Sequence, residues 1–303
     1  MTSDQGSSTR AILYAFLANF GIAVTKSGAA AYTNSGSMLA EAIHSYADCA
    51  NQVLLFLGLR QSDDPPTREH PLGFGKVTYF WSFVVALLLF SMGGLFSIYE
   101  GWHKLHNPEP LHKAWIALTV LVLSIVLETG SLVGCLREIA KIRRGRPFRD
   151  WFRQTRNAEL VVVLGEDVAA LAGLVLAFTF VSLAAATGDT RFDAAGSIAI
   201  GVVLIVVALF IVGRIRQLLI GKSAEPALEQ QIVDLIGRDP DIEELLNTMT
   251  LQFGPKVLLA AKVRMRAGIS IEEAVDHLNE LERAIKQGCP EVGWIFIEPD
   301  VTD

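Results

Sequence analysis

Six apolar stretches, each close to the length of a membrane-crossing helix, dominate this chain, near residues 11–32, 36–60, 77–100, 113–137, 157–183 and 194–217. A bilayer core about 30 Å thick is crossed by roughly 20 residues of helix at about 1.5 Å per residue. Backbone polar groups find no water there, so such stretches must satisfy their own hydrogen bonds as helices. Composition agrees. Of 303 residues, 51% are hydrophobic and 19% are charged, against about 25% charged in an ordinary globular chain.

The charge is unevenly spread. Residues 222–303 hold 16 acidic and 8 basic side chains, whereas residues 1–221 hold 16 acidic and 18 basic ones. This divides the chain into a six-helix membrane domain, 1–221, and an acidic soluble domain, 222–303. It excludes a single soluble domain, a collagen-like chain and a disordered one. The acidic part would repel phosphates, so no nucleic-acid partner is expected. Cys49, Cys135 and Cys289 form no C-x-x-C pair, so neither a disulfide framework nor a cysteine metal knuckle is indicated.

Orientation follows from lysine and arginine near the span ends. Residues 137–156 contain eight of them, Arg144 included, opposed only by Glu138 and Asp150. This loop between spans four and five is expected in the cytoplasm, with both termini on the same side, and it is a candidate for contact with anionic membrane lipid. The opening MTSDQGSSTR reads as neither a cleaved signal nor a transit peptide. A bacterial inner membrane is therefore the expected location.

Beyond Gly221 the pattern changes. A helix from Pro226 to Gly237, strands 244–253 and 257–265 about a Gly254-Pro255 turn, a helix from Ile271 to Gln287 and a strand from Val292 to Ile297 follow in order. That α-β-β-α-β order predicts a small α+β, ferredoxin-like domain with its helices on one sheet face.

Ionisable side chains interrupt the apolar spans. His44 and Asp48 lie four apart on one helical face of span two. Glu128 sits at the middle of span four, and Asp167, with Glu166 beside it, near the middle of span five. Isolated carboxylates at that depth are costly and normally face a cavity, a partner or an ion. Three readings compete: packing pairs, activation of water in an intramembrane hydrolase, and cation ligation. No second metal triad or nucleophile motif favours hydrolysis, so no enzyme is expected. One imidazole with two or three carboxylates suits Zn²⁺ first, then Mn²⁺, Fe²⁺ or Co²⁺, and all of these groups exchange protons with metal. No resident cofactor is expected; the metal is cargo.

The segments SGSMLAEAIHSYAD, HPLGFGKVTYFWS, LGEDVAALAG and FDAAGSIAIGV resemble the cation diffusion facilitator family, over essentially the whole chain. HSYAD-CANQ, HPLGFG and GED-x-A-A are most similar to the branch containing the animal mitochondrial zinc transporter. The resemblance implies a homodimer that exchanges a divalent cation for protons by alternating access. It implies His44, Asp48 and Asp167 as metal ligands. The fourth ligand position holds Val163, so Glu166 and Glu128 are accessory candidates for metal or proton coupling. In the 61–76 loop His70 remains, but Thr67 and Phe74 stand where the family's other ligands would be, and a plain turn is expected. In the soluble domain Phe296 replaces a ligand histidine; His277 reads as a solvated helix residue. A dimerisation domain without a tight metal cluster is expected.

Lys26 and Glu41 are read from position alone. On antiparallel spans they lie about 8 and 10 Å beyond the midplane on the same side. They are a possible pair gating the outer end of the metal path. The competing function class is a membrane metal sensor or receptor that signals through the soluble domain, which would need no water path to both sides.

Overall fold

The computed structural model describes residues 19–143 and 145–302. The opening segment, the start of the first expected span and Arg144 lie outside the described residues. Helix α1 covers residues 19–33. Then come α2 (Gly36–Ser62), α3 (Val77–Leu88), a π-helical turn (Leu89–Leu95), α4 (Phe96–His106), α5 (Ala114–Ile142), α6 (Phe148–Gln154), α7 (Ala158–Thr187) and α8 (Arg191–Ile220). The soluble elements are α9 (Pro226–Ile236), β1 (Ile242–Phe253), β2 (Lys256–Met265), α10 (Ile271–Gly288) and β3 (Val292–Pro299). The chain is a multi-pass helical membrane protein ending in a small α+β domain, as the pattern of apolar stretches predicts.

Among the described residues, four helices are long and apolar enough to span a membrane: Val77–His106, Ala114–Ile142, Ala158–Thr187 and Arg191–Ile220. Helix α2 is 27 residues long, and the polar groups that matter here, Glu41, His44 and Asp48, dilute its apolar character. The helices overrun the apolar stretches at both ends, because helical hydrogen bonding continues into polar flanks. The basic segment 137–156 was expected as a loop. Instead α5 continues to Ile142 and α6 folds around a buried Trp151.

The chain divides into two compact units. One combines residues up to Gly58 with Trp81–Gly145 and Glu159–Arg214. Within it, the third span and α8 approach through glycine. A Cβ on Gly101 would lie 2.6 Å from the Ala194 carbonyl oxygen, and one on Gly201 2.6 Å from that of Gly94. Small residues permit this backbone approach where lipid offers no hydrophobic drive between helices. The α1–α2 turn is locked from two sides. Asn34 adopts φ 58°, which asparagine tolerates better than most residues, and Lys104 donates to its carbonyl oxygen. On α8, Asp193 accepts from the Gly36 and Ser37 N–H groups at 2.6 and 3.2 Å and from Ser35 Oγ at 2.7 Å. A carboxylate from another helix thus caps the positive N-terminus of α2 and fixes the start of the helix that carries His44 and Asp48.

The other unit combines Leu59–Phe80, Arg146–Ala158 and Ile215–Asp303. Its sheet order is β1-β2-β3, with β1 antiparallel and β3 parallel to β2. The β1–β2 turn uses Gly254 at φ 63°, where glycine carries no Cβ penalty. Val257, Leu259, Ala261 and Val263 alternate inward on β2. They meet Ile232 and Ile236 of α9 and Leu281 and Ile285 of α10, so both helices cover one sheet face. On the other face Met249, Ala260 and Phe296 align across three strands, with Met249 and Phe296 exposed. Two arginines of the basic segment serve this unit. Arg156 donates to the Ser223 and Ala224 carbonyls at 2.7 and 3.0 Å, and Arg146 pairs with Glu225 at 3.0 Å.

Candidate functional site

Helix α2 presents His44 and Asp48 one turn apart. His44 is 1% exposed, and its Nε2 lies 3.7 Å from Asp48 Oδ2, too far for a hydrogen bond. Both imidazole nitrogens and Asp48 Oδ1 are buried without a hydrogen-bond partner. Helix α7 contributes Asp167, which is buried. Its Oδ1 accepts from Ser131 Oγ at 3.1 Å, while its Oδ2 has no partner. Glu128, half-buried on α5, lies within the electrostatic reach of Asp48, Asp167 and His44. Four ionisable groups from three helices therefore share one region of the membrane unit.

Glu166 is held differently. Its Oε1 accepts from Asn51 Nδ2 at 2.5 Å, which ties α7 to α2 one turn past Asp48. Val163, one turn before Asp167, is half-buried. The structure sets His44 beside Asp48 and leaves Asp167 on Ser131 and Glu166 on Asn51. Among the described residues, no three His, Cys, Asp or Glu side chains converge closely enough to hold a metal ion. The side chains sit on separate helices, and two carboxylates are drawn toward their own neutral donors.

Chemically the region is a set of acceptors short of donors. A buried acceptor without a donor costs about 1–3 kcal/mol, and a cation is what such a set accommodates. Imidazole nitrogen with carboxylate oxygen is a borderline donor set that suits zinc and its neighbours in the first transition row.

Asn51 and Ser131 were not among the expected site residues. Each follows an ionisable residue by three, Asn51 after Asp48 and Ser131 after Glu128, and so shares its helical face. That spacing is visible in the sequence. The π-helical turn is not. It places Gly93 beside the imidazole, where a Cβ would lie 3.7 Å from His44 Nδ1. Single π turns recur at functional sites.

Lys26 and Glu41 meet. Lys26 Nζ lies 3.3 Å from Glu41 Oε2 and donates to Ser45 Oγ at 2.8 Å. The 61–76 loop forms tight turns: Thr67 N–H donates to the His70 carbonyl at 3.1 Å, and the His70 and Phe74 rings are 4.6 Å apart. In the soluble part His277 is not simply solvated. Its Nδ1 lies 3.0 Å from Asp241 Oδ2, and Arg266 reaches the other oxygen at 3.0 Å. Asp241 directly precedes β1, so this cluster fastens α10 to the sheet.

Residues 12–219 match the cation efflux transmembrane domain. The chain is 34% identical over 254 residues to the mitochondrial proton-coupled zinc antiporter SLC30A9 of Xenopus laevis, covering 83% of this chain and 44% of that protein. Metal tolerance protein C4 of Arabidopsis thaliana is 31% identical over 250 residues, 82% of this chain and 55% of that protein. The cation-efflux pump FieF of Serratia proteamaculans is 24% identical over 259 residues, 86% of this chain and 81% of the pump. The chain thus spans about half the length of the first two relatives. A likeness to the solved C-terminal domain of MamM, at TM-score 0.24 and 12% identity over 25% of this chain, carries no argument. The matched domain covers more than half of the sequence, and the family it defines is one of transporters: the chain belongs to the cation efflux family, the cation diffusion facilitators.

Proposed function

We propose that this protein exports a divalent transition-metal cation across a membrane by alternating access, in exchange for protons, with zinc as the preferred cargo. The observation that carries the reading is the cluster of partnerless buried acceptors on α2 and α7: His44 Nδ1 and Nε2, Asp48 Oδ1 and Asp167 Oδ2. A cation entering the region satisfies atoms that are otherwise costly to bury. His44, Asp48 and Asp167 ligate the ion. Glu128 and Glu166 are accessory groups that adjust charge or carry protons. All of these side chains titrate, so protons and metal compete for the same atoms.

The acidic 222–303 domain raises the local metal concentration on the cytoplasmic side. Both termini lie on that side of a bacterial inner membrane. Two copies pair, and the apolar row Met249–Ala260–Phe296 on the open sheet face supports this, since an exposed apolar row is a natural dimer surface.

The test is metal uptake into proteoliposomes across zinc, manganese, iron and cobalt, with a pH gradient imposed and then collapsed. Zinc should move fastest, and collapsing the gradient should slow it several-fold. Zinc flux no greater than in protein-free vesicles would favour a sensor over a transporter.

A further inference from the structure

Lys26 is a buried cation beside this site, 4% exposed. Its ammonium contacts Glu41 Oε2 at 3.3 Å and Ser45 Oγ at 2.8 Å. An ammonium has three donors, and these two acceptors engage two of them. Glu41 is fully buried, and its second oxygen, Oε1, has no hydrogen-bond partner. That oxygen lies over Gly173 of α7, where a Cβ would overlap it. The pair is therefore wedged among α1, α2 and α7, the last two being the helices that carry the proposed ligands.

Register puts the ammonium close to those ligands. Ser45 adjoins His44 and precedes Asp48 by three residues, a rise of about 4.5 Å. Glu41 precedes Asp48 by seven, a rise of about 10 Å. The positive end of the pair thus lies nearer the ligands than the negative end does. Asp48 and Glu128 both lie within reach of the Lys26 charge. A charge this close is too strong to be neutral toward an arriving dication, because little water screens it. The lysine stem is flexible, so its ammonium moves a few ångströms without moving the helix.

We infer that Lys26 is a tethered counter-cation: its ammonium balances the carboxylates of the site between transport events and is pushed back onto Glu41 and Ser45 by an incoming metal ion. The inference rests on the proposed metal site and adds a mechanism of release. A transport site must bind its ion well enough to load and weakly enough to unload. Lys26 supplies the second property by competing for the same negative charge, and Glu41 with Ser45 is its retracted position.

The experiment is equilibrium zinc binding to the purified full-length protein by competition with a chromophoric chelator, paired with zinc flux in proteoliposomes. Lys26→Met should bind zinc about tenfold tighter or more, with a lower KM and a lower maximal flux. Lys26→Arg, which keeps the charge, should reverse most of both changes. Lys26→Met leaves Glu41 buried and unpaired, so the double variant Lys26→Met/Glu41→Gln decides if the single one does not fold. It should still bind zinc several-fold more tightly than the parent. If both bind zinc no more tightly than the parent while Asp48→Ala abolishes binding, Lys26 only neutralises Glu41 and the inference fails. If Asp48→Ala binds zinc as the parent does, the metal site itself is wrong and the inference falls with it.

Discussion

Ser131 shows how much a single hydroxyl contributes. It holds one oxygen of Asp167 at 3.1 Å and leaves the other free to face the shared region. Groups that orient a ligand typically change metal affinity by about 10–100-fold when removed. Ser131→Ala should therefore raise the zinc concentration for half-maximal flux by about tenfold. Thr129→Ala on the same helix is the control, since Thr129 Oγ1 donates only to the Ile125 carbonyl of its own turn and should leave flux unchanged. Equal effects of the two would mean that Ser131 acts through α5 rather than through Asp167. The contrast with the sequence reading is instructive at this scale. His44, Asp48, Glu128 and Asp167 are legible because charge inside an apolar run has few innocent explanations. Asn51 and Ser131 are hidden because small polar residues inside spans are ordinary. Val163 announces a missing ligand, but nothing in the sequence says that Glu166 is bound to an amide from α2.

Elements were legible where periodicity and turn residues agree. The strands and helices of the α+β domain fall within a residue or two of the positions expected from apolar alternation and from Gly254-Pro255. Two features escaped. The Leu89–Leu95 π turn comes from packing against α8 rather than from local propensity, and α6 hides in a segment whose arginines read as a charged loop. Helix α10 has a start that physical chemistry explains completely. Ser270 Oγ accepts from the Glu273 N–H at 3.2 Å, and Glu273 accepts in return from the Ser270 N–H at 2.9 Å, a reciprocal capping box. Ser270→Ala should destabilise the soluble domain by about 1 kcal/mol, read by thermal unfolding. The hydrogen bonds from the Ser270 N–H and hydroxyl hold the Glu273 carboxyl below its ordinary range. A depressed carboxyl contributes stability that is complete above its unfolded pKa, near 4.3, and is lost as pH falls through the lower folded value. The cost of Ser270→Ala should therefore shrink as the pH is lowered below about 4. A cost constant from pH 7 to pH 3 would show that the box contributes nothing through Glu273.

For the whole molecule, the division into apolar spans and an acidic tail already fixes the class, and the family match agrees with it. The unit carrying α9, α10 and the sheet also takes in the 61–76 loop and α6. Tyr79 Oη receives the Gly254 N–H at 3.0 Å, and Arg156 holds the Ser223 and Ala224 carbonyls. Composition could not reveal this, because a tyrosine at a span end and an arginine in a basic loop each have commoner roles. The central claim is that Asp48 and Asp167, on different helices, act on one ion together with His44. The most direct measurement is zinc flux into proteoliposomes for Asp167→Ala beside Val163→Ala. The account predicts that Asp167→Ala lowers flux to the level of protein-free vesicles while Val163→Ala keeps most of the parental rate. Parental flux from Asp167→Ala would contradict it.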